Sequence, residues 1–151
     1  MSRSDMIFNI TYSYYLNEMQ SRFSGRIDKF ISIVLFVLGG SVLASLLNVI
    51  FVGSVVSILS AIQFFYQFGK QSSVSDERAK KYLSLMHHES RLTDDELHSQ
   101  LDELLKTDTP VFGFLENPAY KRASIKLDLV DETKLSWAES IFAWLAGDLP
   151  K

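Results

Sequence analysis

Hydrophobic residues follow three different patterns along this chain. Between residues 5 and 28 they recur at spacings of three and four, which predicts an amphipathic helix. The members of that stripe are Phe8, Tyr12, Tyr15, Met19, Phe23 and Ile27. From Phe30 to Gly69 no charged residue occurs, and after residue 70 the helical periodicity returns together with the charges. The pattern predicts an all-α protein with an apolar central segment.

The N-terminal stripe suits two environments. It can lie on the inner membrane surface, where Tyr12, Tyr14 and Tyr15 would sit at the level of the headgroups. It can equally pack on other helices of the same chain. Residues 7–15 are also rich in Ile, Thr and Tyr, which leaves a strand as a lesser alternative.

The uncharged segment, Phe30–Gly69, is forty residues long. Because a transmembrane helix needs about 20 apolar residues, this length predicts two membrane spans joined by a tight turn. The turn is expected near Asn48, with Gly53 as the next candidate, since both residue types tolerate turn geometry. The spans then cover Phe30–Leu47 and Ile50–Phe68. The segment is too long and starts too late for a cleaved signal peptide.

Basic residues flank the uncharged segment at both ends. They are Arg22, Arg26 and Lys29 before it and Lys70, Arg78, Lys80 and Lys81 after it. Residues 1–81 carry eight basic and five acidic side chains, a net +3, whereas residues 82–151 carry seven and thirteen, a net −6. Cytoplasmic loops carry the excess of Lys and Arg in membrane proteins. We therefore expect a multi-pass protein of the inner membrane with both termini in the cytoplasm.

Three regions follow: an amphipathic juxtamembrane helix at 1–29, a two-helix transmembrane hairpin at 30–69, and a cytosolic helical C-terminal region at 70–151.

Helix-start signals divide the last region. They are Ser75, Thr93 with Glu96 completing a capping box, Asn117 followed by Pro118, and Asp131–Glu132. The helix from Ser75 runs to about Ser90, or simply continues the second span. The final helix, closed by Gly147, either docks on the other helices or touches the membrane interface.

Small and polar residues gather on one side of the second predicted span. At 100° per residue, Gly53, Ser57, Ser60, Gln63 and Gln67 fall within about a third of the circumference. Such residues let helices pack closely and hydrogen-bond to each other, or they line an aqueous pore. In a single hairpin they would face lipid, which is costly for the amides. The pattern therefore predicts a homo-oligomer.

Composition removes several classes of function. The chain has no cysteine, which excludes disulfides and thiolate-bound metals. Its three histidines, His87, His88 and His98, do not share a helix face, and neither a nucleotide-binding loop nor a nucleophile motif occurs. A net charge of −3 gives no support for nucleic-acid binding. We expect no catalytic residues, no cofactor and no metal, and hence a protein that is not an enzyme.

Two short motifs resemble those of a bacterial family. Residues Gln67–Lys70 lead into Ala79–Leu85, which is similar to an Ala-x-x-Tyr-x-x-Leu segment. Farther on, Asp108–Pro110 followed by Ala119–Ala123 is similar to a proline followed by Tyr-x-x-Ala. With the predicted order of helices, most of residues 5–127 resembles the SLATT family, the SMODS and SLOG-associating two-transmembrane effector domains.

The resemblance implies a pore-forming effector of antiphage or conflict systems that disrupts the inner membrane as a homo-oligomer. It also implies a partner, either a sensor or a nucleotide-signal synthase, because this chain carries neither domain. A second hypothesis is a membrane-anchored scaffold or inhibitor. In that case the hairpin only tethers the chain, and the cytosolic helices recruit a partner protein.

Overall fold

The computed structural model describes residues 1–40, 48–107 and 109–150. All regular structure within them is helical, as predicted, and none of it is strand. Two short 3₁₀ turns, Glu89–Arg91 and Gly113–Leu115, accompany the α-helices. The helices are α1 (Arg3–Gly39), α2 (Val49–Tyr66), α3 (Phe68–His88), α4 (Asp94–Lys106), α5 (Glu116–Lys126) and α6 (Trp137–Leu145). The strand alternative for residues 7–15 is therefore wrong.

Helix α1 runs without a break through the boundary expected near Lys29. It begins with a capping box in which the Ser2 Oγ accepts a hydrogen bond from the Asp5 N–H at 3.2 Å. In return, the Ser2 hydroxyl and backbone N–H bond to the Asp5 carboxylate, and these bonds hold the pKa of that carboxyl below its usual value. Charges disappear after Lys29, but no residue there interrupts the helical hydrogen bonds, so the juxtamembrane helix and the first ten residues of the uncharged segment form one rod.

The N-terminal part of α1 is the central helix of a bundle. On one side its buried residues pack with α3 and α4, in a cluster of Met6, Ile10, Tyr82, Leu85, Leu97 and Leu101. On the other side they pack with α5 and the end of α6, in a cluster of Leu16, Met19, Phe23, Leu115, Ala119 and Ala146. The sequence allowed the amphipathic stripe either to lie on a membrane surface or to pack on other helices, and in the structure it packs on other helices of the chain.

Helices α1 and α3 approach each other through small residues. The Ser72 Oγ donates a hydrogen bond to the Ser21 carbonyl at 2.9 Å, and Ser75 and Ala79 are buried beside it. A Cβ placed on Gly25 would lie 2.8 Å from the Ser72 Oγ, so only glycine fits without displacement. The prediction that Ser75 starts a helix is wrong, because Ser75 is an interior residue of α3 in this close contact.

Helices α2 and α3 are two arms of one bent helix. Asn48 begins α2 as its N-cap: its Oδ1 accepts a hydrogen bond from the Ile50 N–H at 2.9 Å. The bend is at Gln67, whose φ of 47° and ψ of 48° are left-handed. Helix α3 starts at the next residue, so the alternative in which the second span continues into the following helix is close to what the structure shows.

One helix among the described residues, Val49–Arg91 including the bend, is long and apolar enough to cross a membrane by length and composition. The first predicted span, Phe30–Leu47, is helical through Gly39 as the end of α1. Residues 41–47, which complete that span and include the start of the expected turn, lie outside the described residues. The two-span hairpin therefore stays a prediction.

The helix starts in the C-terminal region divide into confirmed and wrong predictions. Thr93 and Glu96 form the predicted capping box of α4. Helix α5 begins at Glu116 after a 3₁₀ turn, so Asn117 is not its N-cap. Helix α6 begins only at Trp137, because Ser136 and Glu139 form the capping box there, whereas Asp131 bonds to the Thr133 N–H in a local turn. Gly147, with φ of 82°, ends α6 as expected.

The close contact between α1 and α3 predicts a specific stability defect. Substituting Gly25→Leu places a side chain where Ser72 lies, and overpacking of this kind costs about 1–3 kcal/mol. We expect a lower midpoint of thermal unfolding, followed by circular dichroism in detergent micelles. The control is Ser73→Leu on the exposed face of α3, which should leave the midpoint nearly unchanged. Equal midpoints for the two variants would contradict this packing.

Candidate functional site at the ends of the uncharged segment

The two ends of the uncharged segment meet in the structure. The Asp28 Oδ1, on α1 just before the segment, accepts a hydrogen bond from the Gln63 Nε2 on α2 at 3.2 Å. A Cβ placed on Gly69, at the other end, would lie 3.2 Å from the Asp28 Oδ2. The chain therefore leaves the bundle after Asp28 and returns to the same place at Gly69.

Beyond this junction, α1 and α2 stay in contact. Ile31 on α1 and Val52 on α2 are buried. The half-buried residues follow the same helical spacing, Val34, Leu35 and Leu38 on α1 and Val55, Val56 and Leu59 on α2. One face of each helix is thus covered by the other, as expected for a pair of antiparallel helices.

The remaining faces of this pair are apolar and uncovered. Their large side chains, between 59% and 83% exposed, are Phe30, Ile33, Phe36, Ile50, Phe51, Ile58, Phe64 and Phe65. Water-soluble proteins rarely expose a continuous apolar surface of this extent. The bundle formed by residues 1–28 with α3 to α6 differs from it, because many of its apolar side chains form two buried clusters.

The structure separates the five predicted site residues into three environments. Gln63 is half-buried against α1, where its amide also donates to the Ser32 Oγ at 3.2 Å. The expectation that a single hairpin turns this amide toward lipid is therefore wrong. Gln63 lies at the edge of the polar stripe that borders α1, and Asp28 and Ser32 satisfy it within the chain.

Gly53, Ser57 and Ser60 form the second environment, an exposed strip on α2. We call these three residues the small-residue strip. The Ser57 hydroxyl donates to the Gly53 carbonyl at 2.8 Å, so this polar group is satisfied by its own helix. A Cβ added to Gly53 would meet nothing within 4 Å. A larger side chain at position 53 would therefore disturb no contact within a single chain.

Gln67 lies in the third environment, at the bend. It borders a cavity of about 420 Å³ together with Tyr66, Lys70, Gln71 and Thr109. Left-handed backbone is unfavourable for residues other than glycine, at a cost of about 1–2 kcal/mol. A larger cavity, of about 780 Å³, lies between α3 and α4 near the opposite end of the bundle.

Sequence reasoning missed Asp28 and Ser32 as part of this site. A signal for them exists, since they are four residues apart and so share one face of α1. Asp28 is also the last acidic residue before the uncharged segment. The sequence does not give the register of α1 against α2. That register decides that Gln63, rather than another polar residue of α2, contacts Asp28 and Ser32.

No protein-family model, curated protein or solved structure matches this chain. The resemblance to the SLATT family therefore stays a prediction that rests on the short motifs and on the predicted order of helices.

The register of α1 against α2 predicts which positions can be crosslinked. The chain has no cysteine, so paired substitutions report without background. Ser32→Cys with Gln63→Cys should crosslink readily with a short bifunctional maleimide, because these side chains are in contact. The control pair, Ser32→Cys with Phe64→Cys, places the second thiol on the exposed side of α2. Equal yields from the two pairs within the monomer band would contradict the register.

Proposed function

We propose that the uncharged segment crosses a membrane twice and returns to its starting side. Helix α2 has the length and composition of a span, and its one buried residue is Val52. Asp28 and Gly69 are adjacent, so the chain that enters at Phe30 must come back. If α2 crosses once, residues 30–47 supply the other crossing. Residues 1–29 and 70–151 are then on one side.

That side is the cytoplasm. Arg26 and Lys29 lie at one end of the segment and Lys70 at the other, and all three are exposed. The uncharged segment itself carries no Lys or Arg that would favour the opposite orientation. The protein is then a multi-pass inner-membrane protein with both termini inside.

The small-residue strip is the surface for self-association. Gly53, Ser57 and Ser60 are exposed on a helix that also exposes bulky apolar side chains, among them Ile58 and Phe64. Small residues let a second helix approach closely in lipid, where van der Waals packing and hydrogen bonds drive association. The amide of Gln63 adds little to this drive because Asp28 and Ser32 already bind it.

The function we favour is a membrane-disrupting effector that acts as a homo-oligomer. The observation that carries it is the small-residue strip, which leaves a row of small and hydroxyl side chains uncovered on a membrane helix. Two helices cannot enclose water, so several copies would have to bring these strips together. The SLATT-like motifs agree with an effector of bacterial antiphage or conflict systems. The trigger would come from a sensor or signal-synthase partner acting on the cytosolic bundle.

A membrane-anchored scaffold or inhibitor is the second candidate. One observation favours it: the Ser57 hydroxyl and the Gln63 amide both have partners inside a single chain. A hairpin whose polar groups are satisfied in this way is stable in lipid as a monomer, and it would then serve only to tether the bundle.

Self-association through the strip predicts a defect for one substitution. Gly53→Leu fills space that is empty in the single chain, so it should leave the fold intact while it blocks a second helix. We expect association in detergent micelles to weaken by about tenfold, or about 1.4 kcal/mol, measured by concentration-dependent crosslinking. The control, Gly53→Ala, keeps a small side chain and should associate like the unchanged protein. Identical crosslinked ladders for Leu and Ala would count against this surface.

The effector hypothesis predicts loss of the membrane potential in cells. A potential-sensitive dye should report depolarisation on expression of the unchanged chain with its trigger, and Gly53→Leu should abolish the loss. A chain in which 30–69 is replaced by an unrelated two-span anchor should also be inactive if the hairpin conducts. Retained function of that exchanged chain would instead support the scaffold. A stable potential with the trigger supplied would reject the effector.

A further inference from the structure

Helix α6 has an apolar face that the bundle leaves open. Trp137, Ile141 and Trp144 are 80%, 48% and 66% exposed and recur at helical spacing. The opposite face is packed, since Ala143 is fully buried and the Phe142 ring lies 4.1 Å from that of Phe114. The exposed face is therefore unpartnered, although the helix itself is firmly attached.

The attachment places α6 beside the start of the uncharged segment. The Arg26 Nη1 donates a hydrogen bond to the Leu145 carbonyl at 2.7 Å, and the Phe142 ring is 5.9 Å from that of Phe23 on α1. Arg26 precedes Phe30 by four residues, which is about 6 Å along a helix axis. The headgroup layer on each side of a bilayer has a similar thickness, about 5–8 Å.

The charges near this face suit an anionic lipid surface. Lys29 and Lys70 are exposed at the same end of the bundle. Two acidic groups near α6 have partners: Glu139 accepts from the Asn117 Nδ2 at 2.7 Å, and Asp148 pairs with Arg122 at 2.9 Å. Bonds to the Ser136 backbone and hydroxyl and to Asn117 hold the pKa of Glu139 below its usual value. The exposed face itself carries no charge.

From this geometry we infer that α6 lies in the cytoplasmic headgroup layer, with Trp137, Ile141 and Trp144 inserted among anionic lipids. Tryptophan prefers this layer because its ring is apolar while its N–H still finds a partner. Arg26, which binds the Leu145 carbonyl, is four residues before Phe30, where the uncovered apolar surface begins, and this favours the bilayer over a soluble partner. The inference rests on the proposed membrane insertion, and it adds a third element that contacts lipid.

The composition of the chain provides a direct test. Trp137 and Trp144 are its only tryptophans, so intrinsic fluorescence reports on this face alone. The full chain is reconstituted into phosphatidylcholine–phosphatidylglycerol vesicles. The lipids carry bromine either near the glycerol end or near the terminal methyl of the acyl chains. Trp137→Phe and Trp144→Phe isolate the two signals. A fluorophore on Ile58→Cys, at an exposed position of α2, reports separately on insertion of the span.

The expected result is strong quenching of each tryptophan by the shallow bromines, weaker quenching by the deep ones, and quenching of the Ile58→Cys fluorophore. Tryptophans that neither bromine position quenches, with a quenched fluorophore, would overturn the inference and leave the span intact. If aqueous acrylamide also fails to quench them, a second copy of the chain covers the face instead. An unquenched fluorophore would reject membrane insertion itself, and the inference with it.

Discussion

The contact of Asp28 with Gln63 and Gly69 is the constraint on which the rest of the molecule depends. It joins the first and last turns of a charge-free stretch that would otherwise be free to end anywhere. Because the junction is closed by the chain itself, whatever lies between must go out and come back. The pair of antiparallel crossings that we propose satisfies that geometry. The carboxylate also satisfies one amide of α2 within the chain.

Two kinds of packing meet at this junction. Below it, α1 and α3 pack through Ser21, Gly25 and Ser72, and large side chains fill clusters on both sides of α1. Beyond it, only one face of each helix is covered, and phenylalanine and isoleucine side chains remain open. Because burial of apolar surface drives folding in water, the second part needs another apolar environment. The division between a self-sufficient bundle and an incomplete pair of helices is the physical basis of the proposed membrane role.

The positions of the helices were easier to predict from the sequence than the contacts between them. The Thr93–Glu96 box and the helix end at Gly147 are local patterns, and each is found. The environment of Gln63 depends on the register between two helices, which no single-helix pattern contains. Ser75 and Asn117 look like helix starts, but tertiary packing and a 3₁₀ turn decide otherwise. The bend at Gln67 was missed because left-handed backbone at a glutamine has no sequence signal.

The central claim is that residues 30–69 cross the membrane and return to the cytoplasm, and single cysteines in this cysteine-free chain test it most directly. Ser4→Cys, Val49→Cys and Ser73→Cys all lie at exposed positions. With a membrane-impermeant maleimide on spheroplasts, only Val49→Cys should be labelled, and the other two should react only after permeabilisation. Labelling of Ser4→Cys and Ser73→Cys on opposite sides of the membrane, or of all three from the inside alone, would contradict the account.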